Sequence, residues 1–202
     1  MRGDLCTEAI RIGRQLIELL PAEREPKGLL ALILLNDARR ATRTDAAGAL
    51  VLLEDQDRSR WDRAKIEEGA ALVEQALRGG RPGVYSLQAA IAALHAGAPS
   101  SKETDWAQIA ALYGFLERLH PSPVIALNRA VAIAMAEGYE KGLALMEAIE
   151  LPGYHLLPAA RADLLRRLGR RTEAAAAYRE ALALVTNEAE RKYLEGRLGG
   201  LD

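Results

Sequence analysis

The stretch "LLRRLGRRTEAAAAYREALAL", residues 164–184, constrains the fold of this chain more than any other feature. Gly169 closes one helical pattern. Ala174, Tyr178 and Ala181 then fall on one face of the next, as a small, a large and a small side chain. The same frame recurs 32 residues earlier at Gly142, Met146 and Ile149, and a further 33 earlier at Ile109, Tyr113 and Leu116. It recurs again at Gly69, Val73 and Ala76, where the longer interval of 40 is taken up by the polar stretch "GAPSSKETD". A period near 34 is that of a paired-helix unit which cannot bury its apolar face alone, so neighbours must stack.

The small-large-small frame is that of the second helix of a tetratricopeptide repeat. It predicts an all-α, tetratricopeptide-like, right-handed array of about ten helices, with its clearest repeats at Ser122–Leu151 and Tyr154–Asn187. Only nine of the 202 residues are aromatic, and Ala, Leu, Arg and Glu dominate, which suits helices that pack through small side chains. A first helix carries Leu5, Ala9, Ile12, Leu16 and Leu19 at three- and four-residue spacing and stops before Pro21; Pro26 opens a second. Thr44 to Ser59 has no helical period, which makes it a loop of about 15 residues. Ser59 is the expected cap of the next helix, with Asp62 three positions on. Thr104, Ser122-Pro123 and Asn187-x-x-Glu190 mark later helix starts. The expected organisation is a helical pair and charged loop over residues 1–60, continuous with repeats over 61–202.

Charge and cysteine usage exclude several function classes. With 27 basic and 28 acidic side chains, net charge −1, the chain lacks the positive field that direct nucleic-acid binding requires. Cys6 is the only cysteine, so neither an intrachain disulfide nor a cysteine-rich zinc site is expected, and a cytoplasmic setting fits. The longest apolar run, "GLLALILL", is far shorter than a membrane span, and the N-terminus carries no signal-peptide pattern. His95, His120 and His155 lie on different segments with no metal-ligand spacing. "EDQD" lacks the glycine and terminal glutamate of a calcium loop. Hydrolase, P-loop and dinucleotide motifs are missing, so no cofactor and no enzymatic activity are expected.

Two charged clusters stand out. Asn36, Asp37, Arg39, Arg40 and Arg43 follow an apolar helix, and Asp55, Asp57, Arg58 and Arg60 surround Trp61 one loop later. Guanidinium forks bind carboxylates bidentately, so Arg39 and Arg40 are expected to clasp Asp55 or Asp57 and pin the loop. Two readings stay open: a structural ion-paired loop with Trp61 filling the apolar space beneath it, and a docking face, for which Trp and Arg are typical anchors. Asn128 and Gln88 fall on apolar helix faces and are expected to be buried amides with hydrogen-bond partners. Trp106 is expected as a core anchor.

The segments "LLALILLNDARRATRTDAAGALVLLEDQDRSRWD", "YSLQAAIAALHA", "TDW", "PSPVIALNRAVA", "RADLLRRLGR" and "TNEAERKYL" cover nearly the whole chain. Together they resemble the C-terminal tetratricopeptide-like extension of a subgroup of extracytoplasmic-function RNA polymerase sigma factors. In such proteins the opening segment, "EAIRIGRQL" here, follows the region that reads the upstream promoter element. Sigma regions 2 and 4 do not precede Leu5, so the resemblance implies a fragment or a stand-alone extension. It also implies a role in regulating transcription initiation through protein contacts. The implied partners are sigma regions 2 and 4 of the same protein, the RNA polymerase core and a small YCII-related protein.

Overall fold

The structure is a computed structural model that describes residues 3–201; among these residues it contains ten α-helices and no β-strand. The helices are α1 (Gly3–Leu19), α2 (Glu25–Asp37), α3 (Arg63–Leu77), α4 (Val84–Gly97), α5 (Trp106–Leu119), α6 (Pro123–Glu137), α7 (Tyr139–Met146), α8 (Leu156–Arg167), α9 (Arg171–Leu184) and α10 (Glu188–Gly199). None of them is long and apolar enough to cross a membrane. The chain divides into two compact units. The first holds α1 to α4 with Leu53–Asp105 and Arg118–His120, and the second holds Thr44–Leu52, Trp106–Glu117 and α6 to α10.

In the first unit α2 is the central helix and packs against α1, α3 and α4. Its Leu30 and Leu34 meet Ile10 of α1, with Ile17, Ile33 and Leu72 around them. The buried face of α1 therefore runs through Ile10, Gly13 and Ile17. The more conspicuous apolar row points outward, leaving Leu5 59%, Ile12 51% and Leu19 76% exposed. Two apolar rows share this helix, and the shorter one, with glycine at its centre, permits the closer approach to α2.

The join between α2 and α4 is a long-range cap. The Glu25 carboxylate accepts the backbone N–H of Tyr85 (2.8 Å) and of Ser86 (3.1 Å), and the Ser86 hydroxyl donates to it as well. Those amides open α4 and have no intrahelical acceptor, and a negative charge suits that end of the helix dipole. Gly28 makes the approach possible, because a Cβ there would lie 2.6 Å from the Ser86 backbone nitrogen.

In the second unit the two clearest repeats form as expected, α6 with α7 and α8 with α9. Tyr178 is 1% exposed between Ala174 and Ala181, so the small-large-small frame is the buried face of α9. Gly142 serves the equivalent approach of α7 to α6; a Cβ would fall 2.3 Å from that of Ala134. Asn187 caps α10, its Oδ1 accepting from Ala189 N (2.9 Å) and Glu190 N (3.2 Å). The segment Thr44–Leu52 is an ordered strap. Asp45 Oδ1 accepts from Ala47 N (2.9 Å) and Ala49 N (2.8 Å), Thr44 and Leu50 form an isolated antiparallel bridge, and Leu50 N donates to the Ala189 carbonyl (3.4 Å).

Several helix starts differ from expectation. Asp62, not Ser59, caps α3, accepting from Lys65 N at 3.2 Å. Ser59 instead sits in a 3-10 turn over Arg58–Arg60, where Asp57 accepts its backbone N–H (3.0 Å) and its hydroxyl (2.6 Å). A carboxylate is the stronger acceptor at both positions, which decides which side chain caps. Ser122 occupies the cap position of α6 without a side-chain cap bond, and the Thr104 hydroxyl donates to the Ser100 carbonyl (3.2 Å).

Candidate functional site

The charged sequence clusters meet in the first unit, at the end of α2. Asp37 is 8% exposed. Its carboxylate lies 2.9 Å from Lys65 Nζ and 3.4 Å from Arg40 Nε. Burial pushes the Asp37 pKa up, but Lys65 and Arg40 outweigh it and hold the group below the usual carboxylate range. The expected clasp of Arg39 and Arg40 on Asp55 or Asp57 is replaced by shorter-range pairs. Arg40 turns to Asp37, Arg39 Nη2 donates to Asn36 Oδ1 (3.1 Å), and Asp57 serves Ser59. Partners three residues away on a helix close a much smaller loop than partners across 15 residues. Asp55, Asp57 and Arg60 are exposed.

Trp61 is 3% exposed, which removes it as a docking anchor. Its Nε1 donates to Thr42 Oγ1 at 3.0 Å. The guanidinium carbons of Arg58 and Arg39 stand 4.6 and 5.9 Å from its ring centroid. Arg58 Nη1 also donates to the carbonyls of His95 (2.6 Å) and Ala98 (2.8 Å), tying the loop to the end of α4. Trp61 is thus the structural centre of the loop, clamped by cation–π contacts and one indole hydrogen bond.

The electrostatics of this cluster are unbalanced. Burial, then the positive charges of Arg43 and Arg58, bring the Arg39 pKa down to about 10. Burial, then Arg39 and Arg58, bring His95 down to about 4, so its imidazole is uncharged near neutrality. Arg43 Nη2 donates to the same Asn36 Oδ1 as Arg39, at 2.9 Å. Beside these groups a groove of ≈ 330 Å³ runs along α1 and α2, with Leu5, Ala9, Leu32 and Ile33 as apolar walls and Asn36, Asp37 and Arg43 among its polar lining.

The second unit carries a cavity of ≈ 400 Å³, walled by Leu50 and Leu52 of the strap, Leu127 and Val131 of α6, Tyr154, and Tyr193 of α10. His155 Nε2 lies 3.0 Å from the Glu190 carboxylate on this cavity. The sequence reading missed this pair, because the residue that precedes α8 and the first turn of α10 supply its members, with no local spacing to betray them. Asn128, expected buried, is exposed and lines the cavity; α6 buries Leu127 and Ala130 instead. Gln88 is half-buried on α4. Among the described residues no three His, Cys, Asp or Glu side chains are placed to hold a metal ion.

Residues 1–77 match the model of a family described as a family of unknown function, DUF6596. A Rhizobium meliloti (strain 1021) protein described as uncharacterized is 51% identical over 201 residues, which cover 98% of this chain and 48% of that protein. The chain thus spans about half the length of this relative. The crystal structure of a thermophilic tetratricopeptide protein of Thermus thermophilus matches with a TM-score of 0.58 at 19% identity, covering 97% of this chain and 90% of the other. At that identity the likeness speaks for the fold: the chain is helical and tetratricopeptide-like.

Proposed function

We propose that this chain is a regulatory protein-interaction domain of an extracytoplasmic-function sigma factor, acting in transcription initiation by positioning the promoter-binding regions or the polymerase. The observation that carries this reading is the outward row on α1. Leu5, Ile12 and Leu19 are 59%, 51% and 76% exposed, with Ala9 and Leu16 between them. This alternation of four- and three-residue steps is the seam that a second helix covers in a coiled coil. An apolar row of this kind in water marks a contact surface. The matched part is 48% of the Rhizobium relative, which leaves about half of that protein for regions such as sigma regions 2 and 4. The near-zero net charge favours protein contacts with those regions, with the polymerase core or with a YCII-related protein over direct contact with DNA.

The test uses the full-length Rhizobium relative and this chain with Ile12→Glu. The chain should retain the separate sigma regions or the polymerase core, and the variant should lose them while melting like the parent, since Ile12 is exposed. Absence of binding, together with unchanged promoter-dependent transcription when the charge is placed in the full-length protein, sinks the proposal.

A second reading is an independent scaffold for a peptide or small ligand, favoured by the apolar cavity of the second unit. Ala159→Trp, which fills that cavity, would then abolish binding while leaving transcription untouched.

A further inference from the structure

We infer that the groove along α1 and α2 binds a small free carboxylic acid with an apolar chain, its carboxylate held by Arg43 beside Asn36 and its chain lying along Leu5, Ala9, Leu32 and Ile33. This goes beyond the partner reading, because the ligand is bound by the chain alone.

The argument begins with acceptors. Arg39 and Arg43 both donate to one neutral oxygen, Asn36 Oδ1, at 3.1 and 2.9 Å. A guanidinium carries five N–H donors, so Arg43 brings to the groove wall donors beyond the one Asn36 takes. Arg58, the third cation of the cluster, stands outside the groove lining and bonds to two neutral carbonyls. Buried guanidinium groups are ordinarily matched by carboxylates. The carboxylate at this end of the groove, Asp37, is already held by Lys65 at 2.9 Å and Arg40 at 3.4 Å. The charges that act most on Arg39 are both positive, those of Arg43 and Arg58.

The shape selects the rest of the ligand. A volume of ≈ 330 Å³ is at the small end of ligand pockets, and its walls include four aliphatic side chains, beside Cys6, that reward a hydrocarbon body. A carboxylate accepts two parallel N–H groups from one guanidinium, a geometry that an alcohol of the same length lacks.

Titration calorimetry of the whole chain with octanoate, 1-octanol and inorganic phosphate at constant ionic strength tests the assignment. Octanoate should bind saturably and at least tenfold tighter than either comparison ligand. Arg43→Gln should bring octanoate and octanol to near equality, and Ala9→Trp, which blocks the apolar walls, should weaken both. Arg39→Gln, whose side chain is not in the groove wall, should reduce octanoate affinity less than Arg43→Gln and guards against a folding defect in one variant. No saturable octanoate binding, equal binding of octanol by the parent, or an unchanged preference in Arg43→Gln overturns the proposal. Phosphate binding as tight as octanoate overturns the role of the apolar walls. A leucine-terminated peptide that binds tighter than octanoate overturns the assignment to a free acid.

Discussion

Replacing Lys65 by Met will destabilise the first unit more than replacing its partner Asp37 by Ala, although both changes break the same ion pair. The asymmetry follows from which charge is left behind. The Asp37 side chain is 5% exposed and that of Lys65 29%. In Asp37→Ala, Lys65 keeps Asp62 at 3.1 Å and both Lys65 and the 35%-exposed Arg40 keep contact with water, so the loss is that of one charged hydrogen bond and the longer Arg40 pair, about 2 kcal/mol. In Lys65→Met, Asp37 stays out of water with Arg40 at 3.4 Å as its remaining ion pair, and stranding a buried charge costs about 3–5 kcal/mol. Arg40 keeps the expected value near the lower end, about 3 kcal/mol. The double variant Asp37→Leu with Lys65→Met should recover most of the loss, because no ion remains to desolvate.

The pH dependence has a definite sign. The folded-state pKa of Asp37 lies below its ordinary 3.8, so the pair stabilises fully above that value and its contribution is lost as pH falls through the lowered one. The gap between parent and Lys65→Met should therefore narrow under acid. Urea unfolding followed by tryptophan fluorescence measures this, with Trp61 in the same unit as the pair. Equal losses at pH 7, a larger loss for Asp37→Ala, or a Lys65→Met midpoint at the parent's value refutes the reasoning.

Thr42→Val removes the acceptor of the buried Trp61 indole and should cost about 1–3 kcal/mol in the same assay. Gly142→Ala forces a methyl group into Ala134 and should cost about 1–3 kcal/mol through overpacking, seen as a lower midpoint by circular dichroism. His95 is neutral when folded, with a pKa of about 4 against an ordinary 6.5, so the unfolded chain takes up the proton first. Thermal scans should show stability intact above pH 6.5 and falling toward pH 4, with a shallower fall in His95→Gln.

The repeat frame was legible because it is local. Ala174, Tyr178 and Ala181 lie within two helical turns, and burial of that face follows from their spacing alone. The Asn187 cap was legible for the same reason. What the sequence hid is long-range choice between equivalent partners. On α1 both the Ile10–Gly13–Ile17 face and the Leu5–Ile12–Leu19 face are amphipathic, and only the position of Leu30 decides which is buried. Arg40 could be read toward Asp55 or Asp57, but Asp37 is nearer along the helix. The groove draws its walls from two helices, and the His155–Glu190 pair joins segments 35 positions apart, so no motif foretells either. Trp61 is buried, yet a large aromatic among arginines reads the same in sequence whether it is clamped inside or offered outside.

The cap that Glu25 places on α4 bears on where this protein can be cut. The family match ends at residue 77, before Tyr85 and Ser86, whose amides Glu25 accepts. A chain stopped at Leu77 would leave that carboxylate without its donors and lay open the surface that Gly28 keeps flush against Ser86. The end of that match therefore falls inside a packed unit, between two elements that depend on one another. The shortest piece of the first unit able to melt as one must run at least through α4, and the first turn of α4 can become protected against hydrogen exchange only once α2 has docked.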